Sequence, residues 1–453
     1  MSLHDLTATA QLNALRGGEV SSRELTEHYL GRIDRLDAGL GAFITVTPEL
    51  ALEEAIRADK RIAEGEWAPL LGLPIGIKDL YPAAGVRTTF GSAALAGFVP
   101  PEDSWTTGLV RRAGAVLVGK TNTAEFGATC YTHNEVTARP AVTPYDLGRY
   151  SSGSSGGAAT AVAAGLVPLA TAGDGAGSTR TPAAACHLVG VKPSRGLVGS
   201  PALVSTTVEG PIARTVADAA LLLGVMADSH FAYGIRKPLR IAVWTETGLE
   251  GPAHPQAIHT VERTADLLRE LGHDVREVEI PAVCDEPVRL ALRKHFASSV
   301  HAAVSTLVPS DDRARLLPYT RYLDAEGAAM PGSEVLAVQE ILEHYASKFL
   351  AAFEDFDVAL TPVTNGPPVP VGHFLAEGVE AVADSMLAWS CYTPWANFTG
   401  QPAIALPSHV DEGLPYGVQL VGRPRQDAEL LALAAQLEDA ALWQDIHPPC
   451  WRP

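Results

Sequence analysis

Ser154 and Ser178 each stand in a short nest of glycines, and two such nests 24 positions apart are the least ordinary feature of this sequence. The first, SSGSSGGAATAVAAG over 151–165, runs straight into a small, apolar, helix-forming stretch. Glycines permit close backbone approach, and a helix N-terminus carries unpaired N–H groups, so the segment suits a buried anchoring loop. A flexible surface loop is the plainer reading, but a mobile tether has no reason to lead directly into an apolar helix. The second nest, AGDGAGSTR over 172–180, places Ser178 after Gly175-Ala176-Gly177. Backbone N–H groups in such a turn can converge on one point, as a developing oxyanion requires. Further back, GLPIGIKDL (72–80) carries Lys78 off the end of an apolar run. Burial of a lysine penalises its charged form and turns it toward a base. Taken alone, Lys78-Asp79 reads as a charge pair where a strand leaves the core. Beside two serine nests it reads as the activator of a serine nucleophile.

Three other motifs compete. GAVLVGKT (114–121) fits the phosphate-loop pattern GxxxxGK[ST], but its variable positions are Ala-Val-Leu-Val, which read as a strand and not a loop. GSSGG (153–157) fits GxSxG around Ser155, the elbow of Ser-His-Asp hydrolases. That elbow needs a strand running into it, and TPYDLGRYS before it is loop-like. The fourteen histidines show no HExxH or comparable ligand spacing, so no metal and no other cofactor is expected. His187 lies near Ser178 in sequence, and a packed or capping role suits it.

The elements that must position these residues follow from periodicity. Two helices fill the first forty residues. Ser21 and Glu24 form a capping box before ELTEHYLGRI, with Leu25, Tyr29 and Ile33 on one face. From Leu71, short apolar runs alternate with helical stretches: GLPIGI, TTGLVRRAGA, AVLVG, AATAVAAGL, VPLATA. That alternation predicts an α/β sheet covered on both sides. TVADAALLLGVMAD, AIHTVERTADLLRELG and DAELLALAAQLEDA read as helices; LRIAVW, DVREVEI, DVALTP, AIALP and YGVQLVG read as strands. Residues 284–355 look mostly helical, and 284–345 is the expected variable cover over a site. No repeat or long linker divides the chain.

Composition narrows the function classes. With 453 residues, 47% hydrophobic and 19% charged, the chain can bury a sizeable core. Its formal net charge of −18 repels phosphate backbones and anionic lipids, so neither a nucleic-acid nor a membrane partner is expected. Five widely spaced cysteines without a CxxC pair suit a reducing cytoplasm. The N-terminus lacks the apolar core of a signal peptide, and no apolar run reaches membrane-spanning length.

GLPIGIKD, RTTFGS, AGAVLVGKTNTAEF, the long block SSGSSGG…VKPSRG, DFDVALTPV and FTGQPAIALP…GLPYGVQLVG together resemble the amidase signature family, in that family's order. The resemblance implies one α/β domain over 1–453 whose mixed sheet has about eleven strands between helical layers. N-terminal helices would cover 1–65 and the signature core 66–225. Position by position, Ser178 would be the nucleophile, Lys78 the base, and Ser154, on a cis peptide, the bridge between them. Gly175, Ala176 and Gly177 would form the oxyanion loop, braced by Asp174 and Arg180, with Ser155 in support and Gly127 and Thr129 beside the substrate. Two departures are visible. Ser152-Gly153 stands where the family usually has two glycines, and Asp-Gly-Ala-Gly-Ser replaces Asp-Thr-Gly-Gly-Ser. Both spare the backbone donors. Gly127 replaces the larger apolar residue of some relatives, which would widen the pocket unless the backbone itself requires glycine.

The expected reaction is hydrolysis of small-molecule amides, aryl amides included, through an acyl-enzyme. Carbamates (urethanes), ureas and esters share its tetrahedral chemistry. Desolvated Lys78 would need to be neutral, giving a neutral-to-alkaline optimum. Ser178→Ala is expected to abolish acylation, and Ser155→Ala to leave much of it. A glutaminase-type subunit passing ammonia to a partner is the alternative, ahead of a Ser-His-Asp hydrolase or a nucleotide-binding protein. A monomer or homodimer is expected.

Overall fold

The computed structural model describes residues 2–199, 206–231, 237–249, 251–279 and 285–452. Eleven strands form one sheet: β1 (Phe43–Val46), β2 (Pro74–Lys78), β3 (Val116–Thr121), β4 (Leu169–Asp174), β5 (Val189–Lys192), β6 (Val208–Ala213), β7 (Arg240–Val243), β8 (Asp274–Glu277), β9 (Val358–Pro362), β10 (Ala403–Asp411) and β11 (Leu414–Gly422). Their order is β1-β3-β2-β4-β6-β5-β10-β11-β9-β7-β8. β2 runs parallel to β3 and β4, and β7 parallel to β8 and β9, while the other pairs are antiparallel. The sheet is therefore mixed. The hairpin β10–β11 lies mid-sheet, between β5 and β9.

Side-chain alternation sorts the strands into two faces. On one, Ile75, Ile77, Leu169, Val189 and Leu420 join a large core with the helices Val216–Met226 and Asp427–Ala441. Each such fully buried aliphatic side chain contributes roughly 1.5–3 kcal/mol. The other face is built of small residues. Ala170 and Ala172 meet Ala158, Ala159 and Ala161 of the helix Gly156–Ala163, which can therefore lie close against β4. That approach brings the first serine nest down onto the sheet.

The capping box holds. Ser21 Oγ accepts from the Glu24 amide at 3.1 Å, Glu24 Oε2 accepts from the Ser21 amide at 2.9 Å, and Leu25, Tyr29 and Ile33 are buried. The sequence 1–65 is not helical throughout, because β1 pairs with β3 at the sheet edge. β5 and β6 are strands that periodicity did not point to. The strand expected at DVREVEI ends at Glu277, and Ile280 and residue 284 lie outside the described residues.

Candidate active site

Lys78 closes β2 with its side chain wholly buried on the small-residue face. Its Nζ stands 2.7 Å from Ser154 Oγ and 2.7 Å from Ser155 Oγ, and it donates to the Gly173 carbonyl at 3.3 Å. The Gly153–Ser154 peptide is cis. Ser155 is itself clamped: its hydroxyl donates to the Gly173 carbonyl and accepts from the Gly173 amide, both at 3.2 Å. The Ser155 amide donates to the Ser178 carbonyl at 3.3 Å, which ties the two nests together. Burial drives the Lys78 ammonium down to about 7, although the carboxylates of Asp174 and Glu209 pull it back up. Glu209 sits on β6 opposite Gly173, and burial raises its carboxyl to about 7. Its Oε2 has no hydrogen-bond partner among the described residues.

The second nest is held from below by a buried ion pair. Asp174 ends β4; its carboxylate accepts from Arg180 Nε and Nη2, both at 2.8 Å, and from Asn397 Nδ2 at 2.9 Å. Burial alone would raise this carboxyl, but the Arg180 guanidinium outweighs it and holds it far below the usual range. The Gly177 amide donates to Asp174 Oδ1 at 2.7 Å, so this N–H is not free for a substrate. The amides of Gly175, Ala176 and Ser178 have no acceptor among the described residues, and of these three Ala176 and Ser178 line the cavity. Gly177 adopts φ +126°, and a Cβ there would lie 2.2 Å from Thr393 Oγ1. Thr393 Oγ1 in turn donates to the Ala176 carbonyl at 2.7 Å, and Arg180 donates to the Thr393 carbonyl and to Gln419 Oε1. Thr393, Asn397 and Gln419 were invisible to sequence reading, being more than two hundred positions from the loop they support. The sequence pointed only to Asp174 and Arg180 as braces of this loop, through the family resemblance.

Ser178 opens onto a cavity of about 300 Å³. Gly153, Ala176 and Gly177 form its floor; Glu286, Arg289, Leu290, Arg293 and Phe296 form one wall, all from one face of the helix Glu286–Leu307. Met386, Leu387 and Ser390 of the helix Val382–Ser390 stand opposite. Gly127 and Thr129 also line the cavity. Gly127 needs to be glycine for its backbone: φ is +72°, and a Cβ would lie 3.0 Å from Leu80 Cδ1 and 3.4 Å from Ser154 Oγ.

A sequence profile of the family described as Amidase matches residues 24–431, most of the chain. The chain belongs to the amidase signature family. This amidase is 37% identical to the protein named "Putative amidase AmiB2" of Mycobacterium bovis, over 97% of each chain. It is 34% identical to a glutamyl-tRNA(Gln) amidotransferase subunit of Thioalkalivibrio sulfidiphilus, over 98% of this chain and 99% of that one. The solved structure of a 6-aminohexanoate cyclic dimer hydrolase with its substrate superposes with a TM-score of 0.90 at 27% identity, covering 100% of both chains.

The competing motifs do not take the roles that their patterns would give them in the amidase. Residues 116–121 are the strand β3, and Lys120 Nζ is spent on the Tyr81 carbonyl at 2.6 Å, Thr88 Oγ1 at 2.9 Å and Asp79 Oδ1 at 3.4 Å, so no phosphate cradle forms. Ser155 is buried and clamped rather than raised on an elbow. His187 packs near Tyr145, Cys186 and Trp443, away from the cavity. Among the described residues, no group of three or more His, Cys, Asp or Glu side chains could hold a metal ion, and no helix is long and apolar enough to cross a membrane.

Proposed function

We propose that this amidase cleaves small-molecule amides through an acyl-enzyme on Ser178, with Ser154 and Lys78 as its proton relay. The observation that carries the reading is a buried lysine, lowered to about 7, at 2.7 Å from a serine hydroxyl beneath the cavity that Ser178 faces. A hydroxyl attacks only as its proton leaves. Neutral Lys78 takes a proton from Ser154 while Ser154 takes one from Ser178, whose oxygen adds to the substrate carbonyl. Negative charge then collects on the carbonyl oxygen, where the Ala176 and Ser178 amides donate. Losing one such donor costs about 3–4 kcal/mol in comparable chemistry. On collapse, the proton returns through Ser154 to the departing nitrogen, the C–N bond breaks, and water releases the acyl group by the same relay.

Leu290, Phe296, Met386 and Leu387 offer apolar surface to the acyl group, and aryl amides and carbamates are within the same chemistry. The −18 charge supports a small-molecule substrate and no nucleic-acid partner. Cys130, Cys186, Cys391 and Cys450 form no disulfide among the described residues, which supports a reducing cytoplasm. The test is hydrolysis of a chromogenic anilide by the purified chain alone, with Ser178→Ala as control. The likeness to an amidotransferase component favours one second reading, a glutaminase that needs a partner. Activity on anilides without any partner eliminates it, and activity only on glutamine with a partner eliminates the first.

A further inference from the structure

An amide hydrolase seats two halves of its substrate, the acyl group and the amine, and the catalytic cavity adjoins a second chamber of about 230 Å³. Thr129 and Tyr319 line both spaces. The inner wall of the second chamber is aromatic, formed by buried Tyr131 and Tyr319, and Leu317 and Val379 continue it. Its charged residues are the acids Glu125 and Glu135; among the described residues no Lys or Arg lines it. The catalytic cavity, by contrast, is lined by Arg289 and Arg293 as well as acids. The two spaces therefore differ in charge as well as in position.

The proton relay says which half goes where. The free amides of Ala176 and Ser178 fix the direction of the carbonyl oxygen, and Ser154 fixes the side of the departing nitrogen, because its hydroxyl returns the proton. A Cβ at Gly127 would lie only 3.4 Å from Ser154 Oγ, so the Gly127 backbone flanks that hydroxyl. Thr129 stands two residues on, its hydroxyl pinned to the Tyr131 carbonyl at 2.6 Å, and it forms the partition into the second chamber. We propose that the second chamber is the amine-side subsite and that it takes an aromatic amine bearing no negative charge. This rests on the amide-hydrolase reading above and adds which half of the substrate sets specificity there. The ring would lie against Tyr131 and Tyr319, as aromatic pairs favour, and a carboxylate on it would meet the field of Glu125 and Glu135.

The test uses butyryl amides with one acyl group and varied amines: the primary amide, the anilide and the 4-carboxyanilide. In the native enzyme the anilide is expected to exceed the 4-carboxyanilide in kcat/KM. Val379→Trp fills the chamber and is expected to lower the anilide to primary-amide ratio of kcat/KM roughly ten-fold or more, the scale of one misfit in an apolar pocket. A second readout is the partition of the butyryl-enzyme between added aniline and hydroxylamine, which is expected to shift away from aniline in the variant. Leu375→Trp, at the exposed rim of the chamber, gives the same test if Val379→Trp does not fold. Equal losses on both amides, an unchanged partition, or a change that follows acyl length instead overturn the assignment. A native enzyme inactive on every amide refutes the hydrolase reading itself, and so the two failures are distinct.

Discussion

The pH dependence of acylation is the sharpest consequence of where Lys78 sits. An ordinary lysine titrates near 10.5, and burial in this site brings it to about 7. At pH 7 an unperturbed lysine is neutral in roughly one molecule in three thousand, whereas this one is neutral in about half. The shift corresponds to about 5 kcal/mol at 1.36 kcal/mol per unit, taken from desolvation and returned as available base. The sign follows directly. Only the deprotonated amine can accept from Ser154, so the rate rises with pH and levels off above the lysine's value. With that value about 7, kcat/KM on an anilide without ionisable groups is expected to rise about ten-fold between pH 6 and 8 and then flatten. The assay is initial-rate hydrolysis across pH 5.5–9 at constant ionic strength, with pre-steady-state bursts to separate acylation from deacylation. Lys78→Ala is expected to lose about 10²–10⁴ in acylation rate along with the sloping limb. A profile flat between pH 6 and 8, or one that falls as pH rises from 6, would falsify the role of Lys78.

Other perturbations isolate single parts. Ser178→Ala is expected to form no acyl-enzyme by mass spectrometry, whereas Ser155→Ala still forms it at a rate only about 2- to 10-fold lower, because Lys78 loses one of its two hydroxyl partners; a fully active Ser178→Ala refutes the assignment. Asp174→Asn leaves the Arg180 guanidinium buried without its counter-charge and is expected to cost about 3–5 kcal/mol of stability in urea denaturation. A loss under about 1 kcal/mol would show that the pair does not hold the loop. Glu209→Gln removes a carboxylate that raises Lys78 and is expected to move the acidic limb to lower pH; a shift to higher pH contradicts that electrostatic account.

Much of this was legible in the sequence where local pattern and tertiary role coincide. β2, β3 and β4 were visible as apolar runs, and the helices between them as amphipathic or small-residue stretches, because each buries one face in its own core. β5 and β6 were not. They are four and six residues long and carry Gly190, Gly210 and Pro211, residues that lower strand propensity in isolation and are tolerated because neighbouring strands enclose them. Lys78, Ser154 and Ser178 stood out because their residue types are odd for their surroundings. Glu209 did not, since nothing local marks an acid as buried beside Gly173. The walls from 286–296 and 383–390 escaped residue-level reading for another reason: they are ordinary amphipathic helix faces, distinguished only by what lies opposite.

The mid-sheet place of the β10–β11 hairpin sets a clock on the enzyme's birth. A nascent polypeptide presents Ser178 to solvent long before the ribosome has polymerised Thr393, Asn397 and Gln419, and until then Arg180 lacks those three acceptors and Thr393 is missing from beneath the loop. The full set of supports beneath the loop therefore exists only after Gln419 has been added to the chain.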